Sequence, residues 1–180
     1  NKYEIVVTNF SGLYRYKMGD VIKVVGFFNN SPEVEFLYRK NQVLNMVSEK
    51  TTEEHLKYSM ENTMKQLSLD LIDYTTISDN SVSPGRYTFY IEVKNNTSCS
   101  PKVIEQCLDV ELQKANLAYS RFRNGNRLSS LKVVLVKKDT FKNIKKFLLS
   151  KGISNNQIKI PRVITTNKDL LNIINSSIYK

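Results

Sequence analysis

The spacing of apolar residues first changes period close to residue 50, and the change splits the sequence into two different folding problems. Ahead of it lie short runs with strand character: Tyr3 to Thr8, Leu13 to Tyr16, Val21 to Phe28, Glu33 to Tyr38 and Val43 to Val47. They are punctuated by Ser11-Gly12, Gly19-Asp20 and Asn29-Asn30-Ser31-Pro32, residues that accept or impose turn geometry. Beyond it, Thr51 with Glu54 three positions on makes a capping-box signature. Leu56, Met60, Met64, Leu67 and Leu71 then recur at helical spacing, which predicts a helix over about Thr52 to Leu69.

The rest of the chain alternates between the two periods. Leu71 to Ser78 and Arg86 to Val93 read as a hairpin about Ser83-Pro84-Gly85, with Tyr87, Phe89, Ile91 and Val93 on one face. Ser100-Pro101 opens a helix whose apolar face is Ile104, Leu108, Leu112 and Ala115. Leu131 to Val136 is a β-branched strand, Thr140 caps a helix that stops at Gly152, and Asn167 begins a last helix running to about Ile178. From Val43 the order strand, helix, strand, strand, helix, strand is that of a split β-α-β unit. The expected class is therefore α+β: a short β-rich segment, then an antiparallel sheet with helices packed on it. The boundary is expected near Arg39-Lys40, giving a β-rich piece at 1–39 and an α+β domain at 40–180. The chain enters a strand pattern directly at Asn1, and we read it as part of a larger protein.

A chain that is 41% hydrophobic and 24% charged can bury a core, and no apolar run is long enough to cross a bilayer. Two cysteines, Cys99 and Cys107, make no disulfide framework, so a reducing, cytoplasmic compartment is expected. His55 is the only histidine and sits among charged neighbours in a capped helix, which favours a solvated face over catalysis. With two cysteines and one remote histidine, no tetrahedral zinc set is available. Glu53 and Glu54 fall in a first helical turn, where they suit the macrodipole. The net charge of +10 is concentrated between Arg121 and Arg162, with twelve basic residues against the single acid Asp139. That face suits phosphate groups, or merely solvates a helix surface through Lys142, Lys145, Lys146 and Lys151. An RNA-binding α+β module using this basic face is the alternative function. The strand Arg86-Tyr87-Thr88-Phe89-Tyr90 loosely suggests a stacking platform, but the glycines of that motif are missing.

Three stretches in order resemble the C-terminal part of the plant auxin-responsive Gretchen-Hagen family of acyl-acid amido synthetases, within the adenylate-forming superfamily. Ser11-Gly12-Leu13-Tyr14-Arg15-Tyr16-Lys17-Met18-Gly19-Asp20-Val21 is similar to that family's Tyr-Arg-x-Gly-Asp nucleotide motif. Phe36-Leu37-Tyr38-Arg39-Lys40-Asn41 is similar to the segment joining its large and small domains. Asn116 to Tyr119, Lys137 to Phe141 and Asn156 to Arg162 resemble its closing region and its Gln-Tyr-Lys-x-Pro-Arg stretch. Lys17 stands where the family usually has Arg, exchanging a forked donor for a point charge, and Ile158 and Ile160 stand where a Tyr and often a Thr occur.

The resemblance implies ligase chemistry in two steps: a carboxylic acid attacks ATP to give an acyl-adenylate and pyrophosphate, and an amino acid amine then attacks the activated carbonyl. Mg2+ would accompany ATP. Residues 1–39 would be the β-rich end of the large nucleotide-binding domain and 40–180 the mobile C-terminal domain, inactive without the upstream domain of the same protein. Asp20 would accept hydrogen bonds from the ribose hydroxyls. Arg39 would reach the ribose or phosphate, and Lys40 would sit at the hinge. Lys159 would meet the negative charge that develops as carboxylate attacks the α-phosphate. Plainer readings stand beside these: a turn-forming Asp, solvated strand-end cations, and one more surface lysine in a basic region.

Overall fold

The computed structural model describes residues 2–39, 44–94, 99–152, 158–165 and 167–179. Backbone contacts divide the chain into two units, 1–43 and 44–180, a little beyond Arg39.

The first unit is an antiparallel sheet of β1 (Lys2–Val7), β2 (Tyr16–Phe28) and β3 (Ser31–Arg39), in that spatial order. A tight turn at Asn29-Asn30 joins the last two, with Asn29 at φ 54°, a conformation its side chain tolerates better than most. Leu13 to Tyr16 is not a separate strand. The Asn9 side-chain carbonyl accepts the amides of Ser11 and Leu13 at 3.1 and 3.2 Å, and Thr8 Oγ1 accepts that of Arg15 at 3.1 Å, so local side chains take the bonds a strand would need. Gly19-Asp20 is not a turn either. It lies inside β2, where Gly19 at φ +77° accompanies a register shift in the pairing with β1. Across the sheet, Tyr3, Ile22 and Phe36 form one row, Lys2, Lys23 and Glu35 the next. The apolar row is largely uncovered: Tyr3 and Phe36 are 49% and 60% exposed, and Val21 is the unit's only buried hydrophobic side chain among the described residues.

The second unit contains α1 (Glu53–Gln66), β4 (Leu71–Asp79), β5 (Arg86–Val93), α2 (Pro101–Ala115), α3 (Leu117–Asn124), β6 (Lys132–Leu135), α4 (Thr140–Ser150) and α5 (Lys168–Ser176). The α+β class expected from the sequence holds. The sheet order is β4-β5-β6; β4 and β5 are antiparallel, whereas β6 runs parallel to β5 because α2 and α3 carry the chain back before it re-enters. Both faces of the sheet are covered, not one. Tyr87, Phe89 and Ile91 of β5 meet Leu56, Met60 and Met64 of α1 and Ile104, Leu108 and Leu112 of α2. On the opposite face Tyr90 shares a core with Phe141 and Ile144 of α4 and Leu170 and Ile174 of α5. Each such side chain contributes about 1.5–3 kcal/mol through burial.

Several expected boundaries shift for local reasons. The strand expected at Val43 to Val47 starts outside the described residues, and from Leu44 onward it is a closed loop. Leu44 and Thr51 exchange two backbone bonds of 2.9 and 2.8 Å, while the Glu49 carboxylate accepts the amides of Met46 and Val47 at 2.7 and 2.8 Å. The cap of α1 is Thr52, not Thr51, and its capping-box partner is His55 rather than Glu54. Asp139, at φ 66°, is the N-cap of α4, and Thr140 is its first helical residue. The α4 amides are taken from a distance instead, since buried Glu92 of β5 accepts from Asp139 N–H at 2.7 Å and Phe141 N–H at 2.9 Å.

The two units should therefore behave differently when separated. A chain trimmed to 44–180 is expected to unfold cooperatively in urea, whereas a peptide of residues 2–39 should show no fixed tertiary signals, having too little buried apolar surface to offset its ordering entropy. A cooperative transition in the isolated peptide would contradict this account.

Candidate active site

Asp20 and Arg39 are brought opposite each other by the β2–β3 register, on neighbouring strands of the first unit. Asp20 is buried, 8% exposed, and follows the kinked Gly19 backbone. Lys40, expected at the hinge, lies outside the described residues.

Lys159 is exposed and begins a strap, Lys159 to Ile164, fixed along the free edge of β4. The side chain that follows it, Ile160, is buried in the second core, which gives a reason for an apolar residue at that position. Thr75 Oγ1 then donates to Pro161 O at 2.6 Å, Thr76 N–H to Arg162 O at 2.9 Å, and Ile164 N–H to Thr76 O at 2.9 Å. The Arg162 guanidinium folds back onto the sheet, pairing with Asp73, donating to Tyr74 O at 2.8 Å and lying 4.4 Å from the centroid of the Tyr74 ring. Arg162 was legible as part of a motif, but its role was not. The only hint was Asp73, a charge set between Ile72 and Tyr74 in an apolar strand.

Other residues singled out in the sequence have structural roles. His55 N–H donates to Thr52 Oγ1 at 3.4 Å and its Nδ1 accepts from Thr52 N–H at 3.2 Å. Burial lowers its pKa against the opposing pull of Glu54, keeping the imidazole neutral as this acceptor role demands. Cys99 precedes α2, and Cys107 contacts Gln66 Oε1 through Sγ at 3.3 Å; both are half-buried and neither is in a disulfide. Within the basic stretch, Arg123 and Arg162 are engaged by Asp109 and Asp73, while Lys142, Lys145, Lys146, Lys151 and Lys159 remain exposed.

Two polar clusters went unforeseen because their members are remote in sequence. Glu49 also accepts from the Tyr87 hydroxyl, and Asn116 Nδ2 donates to Glu49 O at 3.0 Å and Thr51 Oγ1 at 2.9 Å. Asn116 further N-caps α3, a helix missed in the sequence, by accepting from Ala118 and Tyr119. In the second cluster, Asp109 accepts from Arg123 Nε at 3.0 Å and Nη2 at 2.9 Å, from Tyr119 Oη at 2.6 Å and from Gln113 Nε2 at 2.9 Å. Burial alone would raise the Asp109 pKa, but the bonds from Arg123 and Tyr119, with the Arg123 charge, outweigh it and hold the pKa below the ordinary 3.8.

Comparison with known proteins places this geometry. Residues 54–168 match the GH3 family C-terminal domain, and residues 1–39 match the GH3 family central domain. The chain belongs to the GH3 family. The GH3 match to the C-terminal domain runs from α1 through the Lys159 strap, and the match to the central domain contains Asp20 and Arg39. Relatives include the jasmonoyl-L-amino acid synthetase JAR4 of Nicotiana attenuata, 35% identical over 184 residues, and the indole-3-acetic acid-amido synthetase GH3.6 of Arabidopsis thaliana, 37% identical over 169 residues. They account for 99% and 91% of this chain but only 32% and 28% of their own lengths, so the chain spans about a third of the relatives it matches. The structure of the GH3.15 acyl acid amido synthetase superposes with a TM-score of 0.75 at 34% identity, covering 99% of this chain and 34% of that one.

Two outcomes separate structural from chemical roles here. His55→Ala should lower stability by about 1 kcal/mol through loss of the cap, with no effect on any chemical step. Asp109→Asn should cost about 3 kcal/mol by leaving Arg123 unpaired. Because the folded-state pKa of Asp109 is depressed, its contribution is present above the ordinary carboxylate pKa and lost as pH falls through the folded value. Urea titrations from pH 7 downward should therefore show a flatter acid limb, below about pH 4, in the Asn variant than in the parent.

Proposed function

We propose that this chain is the C-terminal portion of an acyl-acid amido synthetase, which uses ATP to join a carboxylic acid to the amine of an amino acid. The observation that carries the reading is the placement of the motif residues. Asp20 and Arg39 are register partners on β2 and β3 in the part similar to the GH3 central domain, and Lys159 stands exposed at the head of a pinned strap in the part similar to the C-terminal domain. In this reading a substrate carboxylate attacks the α-phosphate, pyrophosphate leaves, and the amine then displaces AMP from the acyl-adenylate. Asp20 orients the ribose, Arg39 reaches the ribose or a phosphate, and Lys159 stabilises the charge that builds between the attacking oxygen and the α-phosphate. Mg2+ would enter with the phosphates of ATP, whose oxygens suit a hard cation.

Residues 1–39 would complete the large nucleotide-binding domain, whose remainder would cover the exposed row at Tyr3 and Phe36. Residues 40–180 would be the mobile domain, pivoting near Lys40. A reducing, cytoplasmic setting fits a chain whose two cysteines, Cys99 and Cys107, form no disulfide with each other. RNA binding finds no support, because Tyr87, Phe89 and Tyr90 are 1%, 0% and 7% exposed beneath helices and offer no base a surface to stack on.

Lys159 is assigned to the charge that builds between the attacking carboxylate and the α-phosphate, a charge specific to adenylation, so it should serve one half-reaction. In the full-length protein, Lys159→Ala is expected to slow pyrophosphate exchange by roughly a hundred- to a thousandfold while leaving amide formation from supplied acyl-adenylate near its original rate. The fold should survive the change, since the side chain is exposed and its loss opens no cavity. Unchanged exchange in the variant would remove Lys159 from the mechanism.

A further inference from the structure

We propose that Arg162 and Asp73 are positioning residues for Lys159: they lock the strap to β4 so that the lysine is presented from a fixed backbone. The inference rests on the role given to Lys159 above. A lysine reaches its target through several rotatable bonds, and a misplacement of about 1 Å can cost on the order of a hundredfold in rate. Whatever precision Lys159 has must come from the backbone next to it.

That backbone is held at one point by the core, through Ile160, and along its length by the edge of β4. The Arg162 guanidinium adds a third kind of hold. It pairs with Asp73, donates to Tyr74 O at 2.8 Å, and covers the Tyr74 ring at 4.4 Å. Tyr74 is itself buried and stacks on Phe89 at 6.4 Å, and Phe89 is fully buried at the centre of the sheet. A continuous path of contacts therefore runs from the buried core of the domain to the strap that begins at Lys159. The Arg162 charge is neutralised at the partly buried Asp73, whose side chain is 15% exposed against 28% for Arg162 itself, so the guanidinium is already committed to a carboxylate. Its use is mechanical, and the fork of a guanidinium suits it to bond a carboxylate and a carbonyl while stacking on a ring.

The test uses the full-length protein and both half-reactions. Arg162→Ala is expected to lower the kcat of pyrophosphate exchange by about ten- to a hundredfold, with KM for ATP little changed and with amide formation from supplied acyl-adenylate unaffected. Added to Lys159→Ala, it should slow exchange no further, because a positioned group that is gone cannot be mispositioned. Arg162→Lys, which keeps a donor for Asp73 and Tyr74 O, should recover part of the loss. If Arg162→Ala fails to fold, Asp73→Asn should show the same selectivity for adenylation in milder form.

Normal exchange in a folded Arg162→Ala protein, equal slowing of both half-reactions, or a full additional loss in the double variant would each overturn the proposal. These results differ from failure of the functional reading itself, which would appear as normal exchange in Lys159→Ala alone.

Discussion

Strand β5 is the constraint on which the second unit is built, because its side chains have structural duties on both faces. Tyr87 stacks on Tyr119 at 5.4 Å and sends its hydroxyl to Glu49 and Thr51, closing the loop at the start of the unit. Thr88 donates to Asp79 at 3.2 Å, joining Arg86 in fastening the hairpin. Phe89 and Ile91 fill one core, Tyr90 enters the other, and Glu92 holds the start of α4. Strand pleating sends these residues alternately to opposite faces, so a single strand can organise both helical layers. Slipping its register by one residue would place Glu92 and Thr88 in the first core and Phe89 against the second layer, which no local adjustment could repair.

A sheet closed on both faces moves any chemistry to its edges and loops. One edge, β4, carries the strap with Lys159, and the strap continues the sheet's hydrogen bonding through Thr76 without being a full strand. At the other edge, Glu105 of α2 reaches over to accept Val133 N–H at 3.1 Å, blunting β6 against pairing. The two edges are thus managed differently: one is capped by a side chain, the other by a segment whose exposed residue bears the charge proposed to act. Such an edge is rigid along the strand yet open to solvent, a combination that suits a group needed at one stage of a reaction and withdrawn at the next.

The strongly periodic elements were legible in the sequence, because pattern and propensity agreed with the final packing. The Leu56, Met60, Met64 spacing and the alternation from Tyr87 to Val93 each report a buried face directly. What was illegible involved side chains overriding backbone preference. Asn9 turned the expected Leu13 to Tyr16 strand into a loop, Glu49 did the same to the segment after Leu44, and Asn116 caps α3, a helix that was not expected. Each bond joins a polar side chain to an amide, and polar side chains carry no periodicity to read. For the candidate site, the motifs located Lys159, Asp20 and Arg39, but the Arg162 clamp could not be seen because Asp73 is remote in sequence and only the sheet edge brings it near.

The placement of the basic residues follows from their chemistry. Arg123 and Arg162 hold partly buried carboxylates, where a planar, weakly hydrated fork can satisfy a carboxylate and a neighbouring carbonyl together; Arg123 also donates to Leu128 O at 3.1 Å. The lysines of α4 stay in water, as strongly hydrated point charges should. Lys159 shares their exposure but not their setting, for it leaves a backbone pinned on both the core side and the sheet side. In the role proposed for it, exposure would let its ammonium keep its hydration until a phosphate displaced the water, while the strap would limit the backbone freedom lost at that point. A lysine on a free loop would have to lose that freedom in the transition state itself, whereas here folding has already removed it.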